Sequence, residues 1–246
     1  KEQVELQLYN LVSDVLLLEE PNSGGTYFNP RITLHTTQSY QELPDYEKPI
    51  INKLYNDYYF HRHNDFWKAQ ALWKLPALLS ASEMLIFGED LGMIPDSVPE
   101  VMRALNIITL EIQRMPKGNA KFGQTWEYPY MSVCSPSCHD MSTIRGWGES
   151  DYANANSFYY DYLKWYGLAP KECTANVVEG IVKDHLQSPS IFAIFPIQDL
   201  VGMDSRLRRP DAQAEQINEP SNPKHYWIFS SRRLFEDFFN GVYITR

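Results

Sequence analysis

The chain has 246 residues, of which 43% are hydrophobic, so it can bury a sizeable core and is not a disordered segment. Its net charge of −9 argues against nucleic acid or an anionic membrane surface as partner, because both are bound by basic faces. There is no apolar run long enough to span a bilayer, no apolar signal-peptide core in the opening KEQVELQLYN, and too few cysteines for a disulfide scaffold, so we expect a cytoplasmic protein.

The first 80 residues predict a mostly helical subdomain, residues 1–80. Apolar residues recur at helical spacing over 3–20, with an end that suits extended backbone. A loop rich in Gly, Pro and Asn follows at 19–31. A long helical tract then occupies 46–83, with a break expected near His63.

Residues 81–246 have a different pattern, in which short apolar runs alternate with helical segments. The four runs are MLIFGED (84–90), IITLEIQR (107–114), YPYMSVCSPSCHD (128–140) and SIFAIFPIQD (190–199). Helical patterns lie between them at 95–106, 156–168 and 175–186. The first three runs begin about one βα unit apart, which predicts strands that alternate with helices.

Nearly continuous apolar strands that alternate with helices indicate a parallel sheet covered on both faces. A doubly wound sheet and a (β/α)₈ barrel both fit this pattern. A doubly wound nucleotide binder usually carries a glycine-rich phosphate loop, and the sequence contains neither GxGxxG nor GxxxxGK[ST]. Polar side chains at the ends of several strands favour the barrel. Four convincing strands are fewer than the eight of a full barrel.

The polar groups that follow the four runs would meet at the mouth of such a barrel. In chain order they are Glu89, Asp90, Arg114, His139, Asp140, Gln198 and Asp199. Glu89 and Asp140, two strands apart, suit chemistry in which one acid is protonated and another is ionised, as in glycoside cleavage. The alternative is that each carboxylate caps the helix that follows it. The residue pattern leaves both interpretations open.

We expect no metal and no cofactor. CSPSCHD (134–140) has C-x₃-C spacing rather than the C-x₂-C of zinc ribbons, and no second cluster completes four ligands. Cys138 is disfavoured as a nucleophile because its neighbour His139 would point to the opposite face of an extended strand. His61 and His63 are expected on a solvated helix face or at a helix break rather than around a metal.

Five segments, taken together and in order, resemble the 4-α-glucanotransferases of glycoside hydrolase family 77, the amylomaltases or disproportionating enzymes. They are GEDLG (88–92), LEIQRMPK (110–117), VCSPSCHDMSTIRGW (133–147), FPIQDLVGMDSRLRRP (195–210) and INEPSNPKHYW (217–227). Upstream, FNPRI and YNDYYFHRHNDFWKAQALWKLPALL resemble the long type found in plant cytosol and Bacteroides-like bacteria. The resemblance covers nearly the whole chain.

The resemblance implies a (β/α)₈ barrel and a retaining mechanism on maltooligosaccharides, with glucose or another glucan as acceptor. The family's fifth-strand acid/base corresponds to Glu89, and its seventh-strand stabilising aspartate to Asp140. His139 would hydrogen-bond the sugar beside the scissile bond. Asp90, next to the acid/base, and Asn218, in the loop beside the acceptor groove, complete the expected substrate-binding residues.

Two departures from the family pattern qualify this expectation. The family's nucleophile lies in an R-x-D-H motif, which is absent from the sequence, and Gly148 stands where a second Trp usually follows RGW. We therefore expect the carboxy-terminal half of the barrel, strands five to eight (81–246) with extra helices, which is inactive alone. Its open sheet edges predict self-association. Two alternatives are a non-catalytic glucan-binding remnant and an unrelated barrel enzyme with a carboxylate metal site.

Overall fold

A computed structural model describes residues 2–92, 94–225 and 227 of the chain. The described residues form a mixed α/β structure that divides into two compact units. The first unit comprises residues 1–82 and 95–101, and the second comprises 83–94 and 102–246. Within the described residues, no helix is long and apolar enough to cross a membrane.

The first unit opens with helix α1 (Glu2–Ser13) and a short antiparallel hairpin of β1 (Leu17–Glu19) and β2 (Phe28–Pro30). As the pattern over 3–20 predicted, the helix gives way to extended backbone at the end of this segment. Asp14, just after α1, accepts the N–H groups of Gln38 and Ser39 at 2.8 and 3.0 Å, at the start of α2 (Gln38–Gln41). These long-range bonds compete with continuation of α1.

Helices α3 (Lys48–Asn56) and α4 (His63–Leu79) are joined by a π-helical turn rather than by the predicted break. Within and just before this turn, three tyrosine hydroxyl groups reach the hairpin region. Tyr55 donates to the Ile32 carbonyl at 2.9 Å, Tyr58 to Asn29 Oδ1 at 2.9 Å and Tyr59 to the Pro30 carbonyl at 2.5 Å. The extra residue in a π turn shifts side chains around the helix, which suits this set of contacts.

The second unit contains a parallel sheet in the order β3 (Thr109–Ile112), β4 (Ser132–Ser135), β5 (Phe192–Ala193). Phe87 makes a parallel bridge to Ile108, beside β3, so the four predicted runs lie side by side in chain order. The parallel sheet predicted from the apolar runs is confirmed. The strands themselves are shorter than the runs.

Within the described part of the second unit, four helices accompany the sheet: α6 (Ile144–Ser150), α7 (Tyr152–Ser157), α8 (Ala175–Leu186) and α9 (Ile197–Gly202). Helix α5 (Ser97–Ala104) begins in the first unit and ends in the second. Helix α8 has the bounds that the sequence predicted. The run 190–199 was predicted as one strand, and this is wrong for its second half. Pro196, which has no N–H to donate to a ladder, precedes α9, so Gln198 and Asp199 lie on a helix.

The core of the second unit lies between the helices that follow β4. Its buried members are Phe122, Ile144, Phe158, Tyr162, Cys173, Val178, Ile181 and Val182. Gly148 of α6 belongs to the same region, where a Cβ would lie 3.1 Å from Cys173 Cβ. Gly148 thus allows the Cys173 segment to pack closely against α6.

Candidate active site

Three of the predicted site residues lie together beyond the end of β4. The Asn218 side-chain amide donates to Asp140 Oδ1 at 2.8 Å, and His139 Nε2 lies 3.1 Å from Asp140 Oδ2. The side chains of His139 and Asp140 are each 56% exposed, so both can reach a ligand. The His139 ring also packs against Trp227, with centroids 5.0 Å apart. The loops after β4 and α9 therefore converge on one open carboxylate.

The capping alternative does not describe the contacts of Asp140. The first turn of α6 is capped by Thr143, whose Oγ1 accepts the Gly146 N–H at 3.0 Å. A second cap comes from Asp199, whose Oδ1 accepts the Ile144 N–H at 2.8 Å. Because these two residues satisfy the helix start, the Asp140 carboxylate remains available beside His139.

Asp199 is buried and serves as an internal anchor rather than as a mouth residue. Its side chain is about 1% exposed and also accepts a hydrogen bond from the Ser137 hydroxyl. Burial raises the pKa of the Asp199 carboxyl, while the Ser137 and Ile144 bonds and the charge of Arg114 oppose the rise. Asp199 therefore ties the loop after β4 to helices α6 and α9.

Arg114, at the end of β3, holds the other side of the same loop. Its guanidinium donates to the Pro136 carbonyl at 3.2 Å and to Ser142 Oγ at 3.3 Å, and it also bonds the Ser142 carbonyl. It lies 5.3 Å from the centroid of the Trp147 ring. Burial lowers the pKa of Arg114 to about 10, which leaves it protonated at neutral pH.

Glu89 and Asp90 are adjacent, but they face different environments. Glu89 is exposed, and its Oε1 accepts the Leu91 N–H at 2.8 Å. Asp90 is 3% exposed, and its Oδ1 accepts the Leu110 N–H at 2.9 Å. Gly88 donates to the Ile108 carbonyl one step earlier, so the Asp90 carboxylate extends the ladder to β3 in place of a main-chain carbonyl.

Lys117 neutralises the buried carboxylate of Asp90. Its ammonium lies 2.7 Å from Asp90 Oδ2 and 2.7 Å from Glu111 Oε1. Sequence reasoning did not single out Lys117, whose only signal is a cation near the end of the β3 run. The substrate-binding role of Asp90 stays a prediction, as do the roles of Glu89, His139, Asp140 and Asn218.

A cavity of about 390 Å³ opens beside the loop that follows β4 and carries His139. Its walls are mainly apolar side chains of the three strands, such as Leu110, Val133 and Ile194. Of the five predicted site residues, His139 lines it, together with the polar groups Ser135, Ser137, Gln198 and Gln216. A mostly apolar pocket with a few convergent polar groups is typical of a small-molecule site.

The cysteines take no part in a cluster that could bind a metal. Cys134 and Cys173 are buried and Cys138 is half-buried, all three as free thiols. Burial raises the pKa of the Cys173 thiol to about 12. In the part of the chain that the structure describes, no group of three or more His, Cys, Asp or Glu side chains is arranged to hold a metal ion.

Similarity to known proteins is consistent over most of the chain. The family model for glycoside hydrolase family 77, 4-alpha-glucanotransferase, matches residues 35–233. A 4-alpha-glucanotransferase DPE2 from Oryza sativa subsp. japonica is 43% identical over 230 residues, which are 93% of this chain and 24% of the rice protein. A 4-alpha-glucanotransferase from Chlamydia trachomatis is 30% identical over 169 residues, 66% of this chain and 31% of that protein.

The fold has a solved counterpart. An amylomaltase from Streptococcus agalactiae, in complex with acarbose, superposes with a TM-score of 0.52 at 16% identity, over 67% of this chain and 31% of that chain. The chain thus spans 24–31% of the length of these relatives. By the match of the family model over most of its length, the chain belongs to the 4-alpha-glucanotransferase family, glycoside hydrolase family 77.

Proposed function

We propose that this chain supplies the acid/base and the sugar-binding carboxylate of a retaining 4-alpha-glucanotransferase that transfers α-1,4-glucan segments between maltooligosaccharides or to glucose. The observation that carries the proposal is the contact set of Asp140 with His139 and Asn218 beyond a parallel strand. Catalytic groups of barrel enzymes lie at that end of the strands. The family membership supplies the reaction class.

We further propose that the sheet is one half of a (β/α)₈ barrel, strands five to eight. Support comes from the order of the four runs and from the curvature of the sheet. Phe87 and Phe192 lie at opposite edges, yet their ring centroids are 5.7 Å apart. A flat sheet of four strands would separate its edge residues by about 14 Å. In the part of the chain that the structure describes, Leu85 at the Phe87 edge is 61% exposed, and further strands would cover it.

In this mechanism, exposed Glu89 acts twice. A carboxylate nucleophile attacks the anomeric carbon, the glycosidic C–O bond breaks, and Glu89 gives its proton to the leaving oxygen. The acceptor 4-OH then attacks the same carbon, the glycosyl–carboxylate bond breaks, and the hydroxyl proton returns to Glu89. Asp140 and His139 accept and donate hydrogen bonds to the sugar hydroxyls. The nucleophile is not among the residues assigned here, since these 246 residues contain no R-x-D-H motif.

A chimera tests the proposal, with this chain replacing the matching segment of the rice relative. The chimera should convert maltotriose to glucose and longer maltodextrins. Loss of the proton donor in Glu89→Gln should cost about 10²–10⁴-fold in rate, the range expected for general acid–base catalysis. Exposed Glu83, which immediately precedes the same run, gives the control Glu83→Gln. Transfer that survives Glu89→Gln, or a folded chimera without transfer, contradicts the proposal.

The second candidate is glucan binding without turnover by these 246 residues alone. It is favoured because Asp140, His139 and Asn218 come together within the chain, whereas the nucleophile motif is absent. Titration calorimetry with maltoheptaose should show binding, and maltotriose should stay unconverted. A carboxylate metal site is less well supported, because Lys117 and the Leu110 N–H already occupy Asp90.

A further inference from the structure

The loop at residues 136–143, which carries His139 and Asp140, lies between two charged side chains of opposite sign, the half-buried Arg114 and the buried Asp199. Arg114 contacts it from the end of β3, and Asp199 contacts it from α9. The two charges interact favourably with each other. We call this segment the 136–143 loop.

Arg114 bridges the two ends of the loop. Nε donates to the Pro136 carbonyl at 3.2 Å, where the loop leaves β4. On the far side, Nη2 lies 3.4 Å from Met141 Sδ and bonds the Ser142 carbonyl, while Nη1 donates to Ser142 Oγ at 3.3 Å. Guanidinium is planar and presents several donors at fixed angles, so one side chain can fix both ends of a turn.

Asp199 fixes the loop and the helix that follows it. One carboxylate oxygen accepts from the Ser137 hydroxyl, and the other accepts the Ile144 N–H at 2.8 Å. Ser137 is itself held, because its carbonyl accepts from Ser135 Oγ at 2.5 Å. Charged hydrogen bonds in a buried setting are stronger than neutral ones, so this contact restrains the loop strongly.

The apex of the loop has weaker restraints of its own. His139 and Asp140 are each 56% exposed and contact one another, Asn218 and Trp227. Exposed contacts of this kind contribute little to stability. Asn218 and His139 orient the carboxylate of Asp140, whereas the position of the loop backbone that carries it depends on Arg114 and Asp199 at the ends of the loop.

We propose that Arg114 and Asp199 are positioning residues that hold the 136–143 loop so that Asp140 and His139 meet the bound sugar in one fixed orientation. Neither residue touches substrate in this proposal; each acts through the loop. The catalytic consequence rests on the proposed function, whereas the restraint of the loop can be measured without it.

The restraint is tested on the 246-residue chain with Arg114→Lys and Arg114→Met. Lysine keeps the charge opposite Asp199 but has one ammonium group, which cannot reach Pro136 and Ser142 together. Amides of residues 137–144 should exchange about tenfold faster or more in Arg114→Met, and less so in Arg114→Lys, because a charged hydrogen-bond set is lost. Amides of β4 should not change.

A spectroscopic signal separates positioning from general destabilisation. The His139 Cε1–Hε1 resonance, assigned with His139→Gln, senses the ring current of Trp227 at 5.0 Å. In Arg114→Met the chemical shift of this resonance should move towards its value in the unfolded chain. In Arg114→Lys it should lie between the values of Arg114→Met and the parent. The control is Arg208→Met, because Arg208 also donates to a main-chain carbonyl, that of Cys173 at 2.7 Å, away from the loop. An unchanged His139 resonance and unchanged exchange in Arg114→Met overturn the proposal.

Ser137→Ala gives the matching test for Asp199, since it removes one contact of the buried carboxylate and leaves the carboxylate in place. Ser137→Ala should also speed the amide exchange of residues 137–144. In the transfer-competent chimera, Arg114→Lys should lower kcat by about 10- to 100-fold with little change in KM, as expected when catalytic groups are misplaced. Unchanged kcat with a loosened loop refutes the positioning role. Transfer unaffected by Asp140→Asn instead refutes the proposed function.

Discussion

The Asn218 amide nitrogen lies 2.8 Å from Asp140 Oδ1, which joins two residues 78 positions apart in the chain. His139 Nε2 lies 3.1 Å from the second carboxylate oxygen, Asp140 Oδ2. Both oxygens of Asp140 are thereby oriented before a ligand arrives. Preorganised partners of this kind fix a carboxylate at low reorganisation cost.

Replacing Asn218 with Asp should impair sugar binding more than replacing it with Ala. The Ala variant removes one donor, whereas the Asp variant puts a like charge against Asp140, which is unfavourable at short range. In the chimera we expect kcat/KM for maltotriose to fall about tenfold for Asn218→Ala, the worth of about one hydrogen bond, and further for Asn218→Asp. Asn222→Asp, on the same exposed loop, is the control and should stay near the parent value. An equal kcat/KM for Asn218→Asp and the parent would contradict a role of the Asn218–Asp140 contact in sugar binding.

Lys117→Met should destabilise the chain by about 2–4 kcal/mol, because two carboxylates, Asp90 and Glu111, would lose their shared cation in a largely buried setting. Urea unfolding at neutral pH measures the loss. Lys121→Met is the matched control, since Lys121 is exposed and contacts the Ser157 hydroxyl; its effect should stay within about 0.5 kcal/mol. Equal stability of the two variants would show that the Asp90 carboxylate does not depend on Lys117.

The stability of the chain should fall as pH decreases below about 6.5, in part because of His185. Burial lowers the pKa of this fully buried imidazole, whose Nδ1 lies 2.8 Å from the Ile181 carbonyl. The unfolded chain then binds a proton that the native chain does not, so the free energy of unfolding falls by up to about 1.4 kcal/mol per pH unit.

His185→Gln should therefore show a flatter dependence of the free energy of unfolding on pH between 7 and about 5. Val178→Ala, on the same helix and fully buried, should lose about 2 kcal/mol at every pH and keep the slope of the parent. The parent and Val178→Ala both keep His185, so a slope that changes only in His185→Gln is attributed to His185. Parallel curves for His185→Gln and the parent would rule out its contribution.

Gly148→Ala should destabilise the chain, although alanine is the better helix former. The added Cβ would lie 3.1 Å from Cys173 Cβ and 3.2 Å from its Sγ, and overpacking of a core costs about 1–3 kcal/mol. The penalty should shrink in a Cys173→Gly background, which removes both atoms. A double-mutant cycle by urea unfolding measures the coupling. Additive effects would show that Gly148 has no packing role against Cys173.

The local sequence pattern was sufficient to predict those parts of the structure that depend on residues close together in the chain. Helix α8 follows its apolar periodicity residue for residue, and the alternation of apolar runs with helical segments predicted a parallel sheet. Local pattern was insufficient at Gln198 and Asp199, where Pro196 converts an apolar run into a helix start. It also missed the π-helical turn before His63, since that turn serves contacts to the distant hairpin.

By itself the sequence determined which residue types stand at the ends of the runs, including the pairs Glu89–Asp90 and His139–Asp140. Only the tertiary structure decided what each of them does. In the first pair Asp90 faces inward, where the Leu110 N–H and Lys117 contact its carboxylate, and Glu89 is exposed. Asn218 and the two loop anchors come from segments far apart in sequence. Their contacts depend on how strands and helices pack, which no local propensity encodes.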